Sequence, residues 1–176
     1  MKKAVFFDRD ATLIVDKVYL NDPNDIEYLP GAVPALTLLT EHNFDLFIVT
    51  NQSGIARGLV EPNSLELIHQ NILAYFGSHK ISFKEIISAP YMSNSKHYYR
   101  KPNPGMLEEL IHAHAYDPTH CWMVGDKMID VEAGHRARTK SILLGSKAQL
   151  KHSQFTAPEY ITDSLIDVAE FIIGHQ

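Results

Sequence analysis

Short apolar runs that stop at a polar residue recur along the chain. Lys3 to Phe7 is nearly all apolar and ends at Asp8; Phe44 to Thr50 repeats the pattern, and Cys121 to Gly125 ends just before Asp126. Ser141 to Leu144 and Ile86 to Ala89 are shorter runs of the same kind. Apolar runs without alternation suit strands covered on both faces, as in a parallel sheet. Between them the period changes to that of a helix. Pro34 to His42 carries Leu36 and Leu39, and the segment after Asn63 places Leu65, Ile68, Ile72 and Phe76 on one face. Asn63 and Glu66 are spaced as a capping pair for that second helix. Pro104 to Ala115 opens with a proline suited to a first turn, and the tail from Asp163 carries Leu165, Val168, Ala169 and Ile172. Alternating strands and helices predict an α/β fold: a central parallel sheet between two helical layers, with right-handed crossovers.

Composition narrows the class. The chain has 176 residues, a formal charge of −5 and one cysteine, Cys121. A chain of this length builds a sufficient core without disulfides or a structural metal, so one domain over residues 1–176 is expected. The acidic balance argues against nucleic-acid binding. No apolar run approaches the roughly 20 residues of a membrane helix, and the first residues lack a signal-peptide core. A cytoplasmic monomer is the expectation.

In a parallel sheet, ligands bind beyond the carboxyl ends of the strands. Asp8, Thr50 and Asp126 follow three of the predicted strands and therefore share one edge, with Asp10 two residues beyond Asp8. Any one of these aspartates is as readily a strand end or a helix cap. Three at strand ends form a negative patch that needs compensation, and Mg²⁺, which prefers hard oxygen ligands and bridges carboxylates to phosphates, suits it.

The motifs themselves carry a resemblance. Asp8-Arg9-Asp10-Ala11-Thr12, Val49-Thr50-Asn51, Arg100-Lys101-Pro102 and Gly125-Asp126-Lys127-Met128-Ile129-Asp130 resemble the four ordered motifs of the haloacid dehalogenase (HAD) superfamily of phosphohydrolases, over nearly the whole chain. The stretches Asn51 to Gly58 and Arg100 to Met106 are similar to the branch of D-glycero-D-manno-heptose 1,7-bisphosphate phosphatases, with histidinol-phosphate phosphatases as near relatives. Asp16 to Tyr19 resembles that branch's substrate-contact segment. The resemblance implies a HAD-like, Rossmann-like fold and a Mg²⁺-dependent phosphomonoesterase. Asp8 is then the nucleophile that becomes an aspartyl-phosphate. Asp10 is the general acid and base. Thr50 and Lys101 hold the phosphate, and the ion is bound by Asp8, the backbone carbonyl of Asp10 and Asp126. Asp16, Tyr19, Asn51, Gln52, Ser53, Arg100 and Lys127 are the expected substrate contacts, although Asn51, Gln52 and Ser53 serve equally well as loop supports. Asp130 is expected to orient Lys127 or the ion's waters.

Departures from the family pattern qualify these expectations. Ala11 stands where glycine is usual; a negative φ there would make it harmless, and that is the expectation. Loss of activity through Ala11 would instead leave a non-catalytic phosphosugar-binding protein. Arg138 stands where a glycine usually ends the helix after the last motif. The cysteine-rich zinc loop of many heptose bisphosphate phosphatases corresponds here to Tyr91 to Tyr99, which has no cysteine, so no zinc is expected. In that loop Tyr98 and Tyr99 either wall the substrate pocket or pack on the core. Asp16 to Leu29 is a short loop and Gly58 to Ser88 one helix and one strand, so the enzyme is expected to be capless, with an open site. The leading substrate is the heptose 1,7-bisphosphate, losing its 7-phosphate; histidinol phosphate is the alternative. The histidines, including His69, His112 and His114, are expected at the surface or partly packed.

Overall fold

The computed structural model describes residues 2–175 and contains one six-stranded, all-parallel sheet. The strands are β1 (Lys3–Phe7), β2 (Phe44–Asn51), β3 (Phe83–Ala89), β4 (Cys121–Gly125), β5 (Lys140–Leu144) and β6 (Tyr160–Thr162), in the order β3-β2-β1-β4-β5-β6. Six α-helices accompany them among the described residues: α1 (Ala32–Glu41), α2 (Ser53–Ala56), α3 (Pro62–Ser78), α4 (Gly105–Ala113), α5 (Met128–Arg136) and α6 (Leu165–Gly174). The chain builds outward from β1 through β2 to β3, then returns to place β4 on the other side of β1. That reversal makes the β1–β4 boundary the topological switch point.

Alternation along each strand assigns the two faces. Val5, Phe7, Leu46, Ile48, Trp122, Val124 and Ile142 point to the layer built by α1, α3 and α6. Ala4, Phe6, Phe47, Val49, Cys121 and Met123 point to the opposite layer, where Met106, Leu107 and Leu110 of α4 and Ala133 of α5 meet them. Since both faces are covered, β1 and β4 need apolar residues at successive positions, which is why they read as continuous runs. Burying a Leu, Ile, Val or Phe side chain contributes about 1.5–3 kcal/mol, so each layer is held mainly by this set.

The edges of the sheet depart from expectation. β3 begins at Phe83, three residues before the apolar run Ile86 to Ala89, because the edge strand carries exposed Lys84 and Glu85. β6 pairs with β5 through only three residues and has no apolar signature. The Asn63–Glu66 capping pair does not form: Pro62 starts α3 one residue earlier, Glu61 is its N-cap, and no side chain caps it. Arg138 adopts φ 63° just beyond α5, the left-handed position that glycine usually fills at a helix end.

No domain is inserted between these elements among the described residues. Between β1 and α1 the loop holds only the 3-10 turn Pro23–Asp25, and between β2 and β3 lie only α2 and α3. No helix among the described residues is long and apolar enough to cross a membrane.

Candidate active site at the strand ends

β1 delivers Asp8 to the carboxyl edge, where its backbone N–H donates to the carbonyl of Val124 at 2.9 Å. β2 delivers Thr50, and β4 delivers Gly125 and then Asp126. Carboxylate oxygens of Asp8, Asp126 and Asp130 all lie within 4.8 Å of one another. Into this cluster reaches Lys101, from the loop before α4. Its Nζ lies 2.7 Å from Asp8 Oδ1, 2.7 Å from Asp130 Oδ1 and 2.8 Å from the carbonyl of Val49. Lys101 is 2% exposed, so it is no solvated surface lysine. Burial works against its charge, but Asp130 and Asp8 more than offset that and raise its pKa. Asp8 is lifted above the ordinary carboxylate range by burial, with Lys101 opposing and Asp130 reinforcing the rise.

Asp130 and Asp126 reach this position from different places in the chain, Asp126 just after β4 and Asp130 within α5. Asp126 precedes α5 rather than lying within it, so the two carboxylates do not share a helix face. Asp130 instead sits in the first turn of α5, and its Oδ2 accepts the backbone N–H of Lys127 at 3.0 Å. Its other oxygen pairs Lys101. A Cβ on residue 125 would lie 2.4 Å from the Asp130 side chain, so Gly125 is what admits it.

Asp126 Oδ1 is buried without a hydrogen-bond partner. Burial, then Asp130 and Asp8, push the Asp126 carboxyl up to about 7, with Lys127 and Lys101 opposing. An unpartnered carboxylate oxygen among other hard oxygens is a donor set that suits a small divalent cation such as Mg²⁺. Asp10 is turned elsewhere. Arg9 grips its carboxylate twice, Nε to Oδ2 at 3.1 Å and Nη2 to Oδ1 at 3.0 Å, and Gln52 Nε2 donates to Oδ2 at 2.9 Å. The Asp10 side chain therefore stands outside the carboxylate cluster.

All seven expected substrate contacts, Asp16, Tyr19, Asn51, Gln52, Ser53, Arg100 and Lys127, line one cavity of about 240 Å³ together with Asp10. Two of them are already occupied with supporting their neighbours. Asn51 exchanges two 3.0 Å hydrogen bonds with the backbone N–H and carbonyl of Lys101. Gln52 donates to Thr50 Oγ1 at 3.0 Å as well as to Asp10. Tyr98 and Tyr99 do not wall this cavity: their hydroxyls donate to Glu108 and Glu109 on α4. His112 and His114 form no metal cluster among the described residues, while partly buried His69 meets Arg9 Nη1 at 3.3 Å through Nε2.

Comparison with known proteins agrees with this geometry. A family model described as HAD-hydrolase-like matches residues 98–168. The D-glycero-beta-D-manno-heptose-1,7-bisphosphate 7-phosphatase of Pasteurella multocida is 32% identical over 181 residues, spanning 99% of this chain and 98% of that one. The chain belongs to the HAD phosphatases. It is a phosphoric monoester hydrolase, and its fold is shared by the crystal structure of D,D-heptose 1,7-bisphosphate phosphatase from B. bronchiseptica complexed with magnesium and phosphate. That structure matches with a TM-score of 0.90 at 26% identity, over 99% of both chains. The histidine biosynthesis bifunctional protein HisB of Legionella pneumophila is 32% identical over 134 residues, 75% of this chain but 38% of that protein.

Two features of this HAD phosphatase differ from the sequence expectation. Ala11 has φ 57°, not a negative angle, in the tight turn where Ala11 N–H donates to the Ile14 carbonyl at 2.8 Å. A left-handed non-glycine residue costs about 1–2 kcal/mol, whereas glycine adds back about 0.5–1 kcal/mol of unfolded-state entropy. Strain is the larger effect. Ala11→Gly is therefore expected to stabilise the fold by about 0.5–1 kcal/mol, read from chemical denaturation; destabilisation would show that the surrounding turn relieves the strain. The second feature is Arg9, which was not anticipated as a site residue. It is 1% exposed because its fork is satisfied by the neighbouring Asp10, and a charged residue between two aspartates gives no apolar signal of burial.

Proposed function

We propose that this chain is a capless, single-domain, Mg²⁺-dependent phosphatase that removes the 7-phosphate from D-glycero-D-manno-heptose 1,7-bisphosphate. The observation that carries the reading is Lys101 held between Asp8 and Asp130, beside the unpartnered Asp126 oxygen, while Asp10, Arg100 and Lys127, their near neighbours in the chain, line the cavity of the substrate-contact set. The full-length similarity to a named heptose bisphosphate phosphatase supports the substrate over histidinol phosphate, since HisB is matched over a smaller share of both chains.

In this reading an oxygen of Asp8 attacks phosphorus, a P–O bond to Asp8 forms, and the bond to the sugar oxygen breaks. Asp10 supplies the proton that the departing alkoxide needs, then removes one from the water that attacks the aspartyl-phosphate; inorganic phosphate leaves and the Asp8 carboxylate is restored. Arg9 and Gln52 fix the Asp10 carboxylate in place for both transfers. Thr50 and Lys101 face the charge on the transferred group. Asp8, Asp126 and the backbone carbonyl of Asp10 would hold Mg²⁺, with Asp130 orienting Lys127 or the ion's waters; bound there, the ion would reduce repulsion between nucleophile and phosphate. Arg100, Lys127, Asp16 and Tyr19 are left to meet the rest of the sugar phosphate.

Phosphate release measured over a panel of phosphomonoesters, with and without Mg²⁺, tests the reading. The heptose bisphosphate is expected to give the highest kcat/KM. A higher value for histidinol phosphate would move the assignment to that substrate, and sugar-phosphate binding without release by a folded, Mg²⁺-loaded sample would make the chain a sensor. Mg²⁺ is also expected to raise Tm in the absence of any substrate, as a ligand bound only by the native state must. Asp126→Asn is expected to abolish that shift; an unchanged shift would remove Asp126 from the ligand set.

A further inference from the structure

We propose that His97 is a positioning residue for substrate recognition: it holds the loop Tyr91 to Asn103 in the one arrangement that aims Arg100 into the cavity. The inference rests on the preceding reading, in which Arg100 meets the substrate. The His97 ring stacks on Tyr91 with centroids 3.5 Å apart and planes 17° apart, and lies near-parallel to Tyr99 at 5.7 Å and 21°. Its Nδ1 accepts the backbone N–H of Tyr99 at 3.2 Å. Its carbonyl accepts the backbone N–H of Arg100 and Asn103 Nδ2, each at 3.0 Å, while its own N–H donates to Ser95 Oγ at 3.1 Å. A half-buried residue thus joins both ends of a segment that has no helix or strand.

The consequence falls on Arg100. Its backbone is fixed by the His97 carbonyl and its guanidinium by the carbonyl of Tyr91, which accepts from Nη1 at 2.9 Å. Tyr91 is in turn the residue whose ring His97 covers. One anchor of Arg100 is thus the His97 backbone itself, and the other, the guanidinium's, depends on the His97 ring that holds Tyr91. Arg57 repels Arg100 from nearby, and a long side chain loses up to about 2 kcal/mol of rotamer freedom when it is fixed, so Arg100 would otherwise leave this orientation.

A double-mutant cycle on the full chain, assayed with the heptose bisphosphate and Mg²⁺, separates positioning from general structural support. His97→Ala is expected to raise KM roughly ten-fold with kcat within roughly two-fold, because only binding through Arg100 is lost. Arg100→Ala should do the same. In the double variant KM should rise no further than in Arg100→Ala alone, since the two residues act through one contact. His97→Phe, which keeps a ring to stack on Tyr91, should remain within roughly three-fold of the wild-type KM. Multiplying KM effects, or a fall in kcat at unchanged KM, overturns the proposal. Should His97→Ala fail to fold, His97→Asn, which keeps an acceptor for the Tyr99 N–H but no ring, carries the same cycle. Absence of turnover by the wild type would overturn the substrate reading and this inference with it; turnover with an additive cycle would overturn this inference alone.

Discussion

Asp8→Asn is expected to lower kcat by about 10³-fold or more and to leave the protein at least as stable as before. The first effect follows from chemistry: a carboxamide does not attack phosphorus, so no aspartyl-phosphate forms, although Lys101 and Thr50 remain to bind phosphate. Acid-quenched wild type should carry phosphate on Asp8 during turnover and the variant none. The second effect follows from the site's electrostatics. Burial raises the Asp8 carboxyl above its ordinary value, so the fold disfavours its charge despite Lys101 at 2.7 Å. An acid whose folded pKa is raised destabilises the native state at any pH above its unfolded pKa. A neutral isostere removes that penalty, keeps an acceptor for Lys101 Nζ, and leaves Asp130 as the counter-charge. Retention of more than about a tenth of wild-type kcat would assign the nucleophile elsewhere.

The positions of Asp8, Thr50 and Asp126 were legible because β1, β2 and β4 are buried on both faces, and unbroken apolar runs show where each strand ends. β3 and β6 were blurred for the opposite reason: an edge strand such as Phe83–Ala89 carries solvent-facing Lys84 and Glu85 and gives no such run. The substrate-contact set was drawn from resemblance, and the fold brings all seven residues to one cavity. What the sequence conceals is which polar groups are occupied with one another. Asn51 is bound to the Lys101 backbone, Gln52 to Asp10 and Thr50, Arg9 to Asp10, and the tyrosine hydroxyls to Glu108 and Glu109. Each pairing depends on a distance across the fold or on a rotamer, neither of which has a period in sequence. Ala11 is the same kind of case, since a backbone angle set by the turn to Ile14 cannot be read from the residue type.

Lys101→Met should show the reverse of Asp8→Asn, a loss of stability as well as of activity. Methionine nearly matches lysine in length and suits a buried site, so packing changes little and the charge is what disappears. Removing it leaves Asp8 and Asp130 facing each other with no cation between them, and the Val49 carbonyl loses its donor. Breaking a buried ion pair from one side costs about 3–5 kcal/mol, more than the whole pair contributes over apolar replacements, because an uncompensated charge stays behind. The pH dependence has a definite sign. Lys101 has its pKa raised, so in the wild type its contribution is fully present below the unfolded value of 10.5 and is lost only as pH rises through the folded one. In the variant the carboxylate Asp8, already raised by burial, gains stability on protonation. The deficit should therefore be largest near about pH 7.5 and shrink towards about pH 4.5. Metal-free denaturation curves at the two pH values decide the matter. A deficit below about 1 kcal/mol, or one that grows in acid, would mean that Lys101 does not neutralise the buried carboxylates.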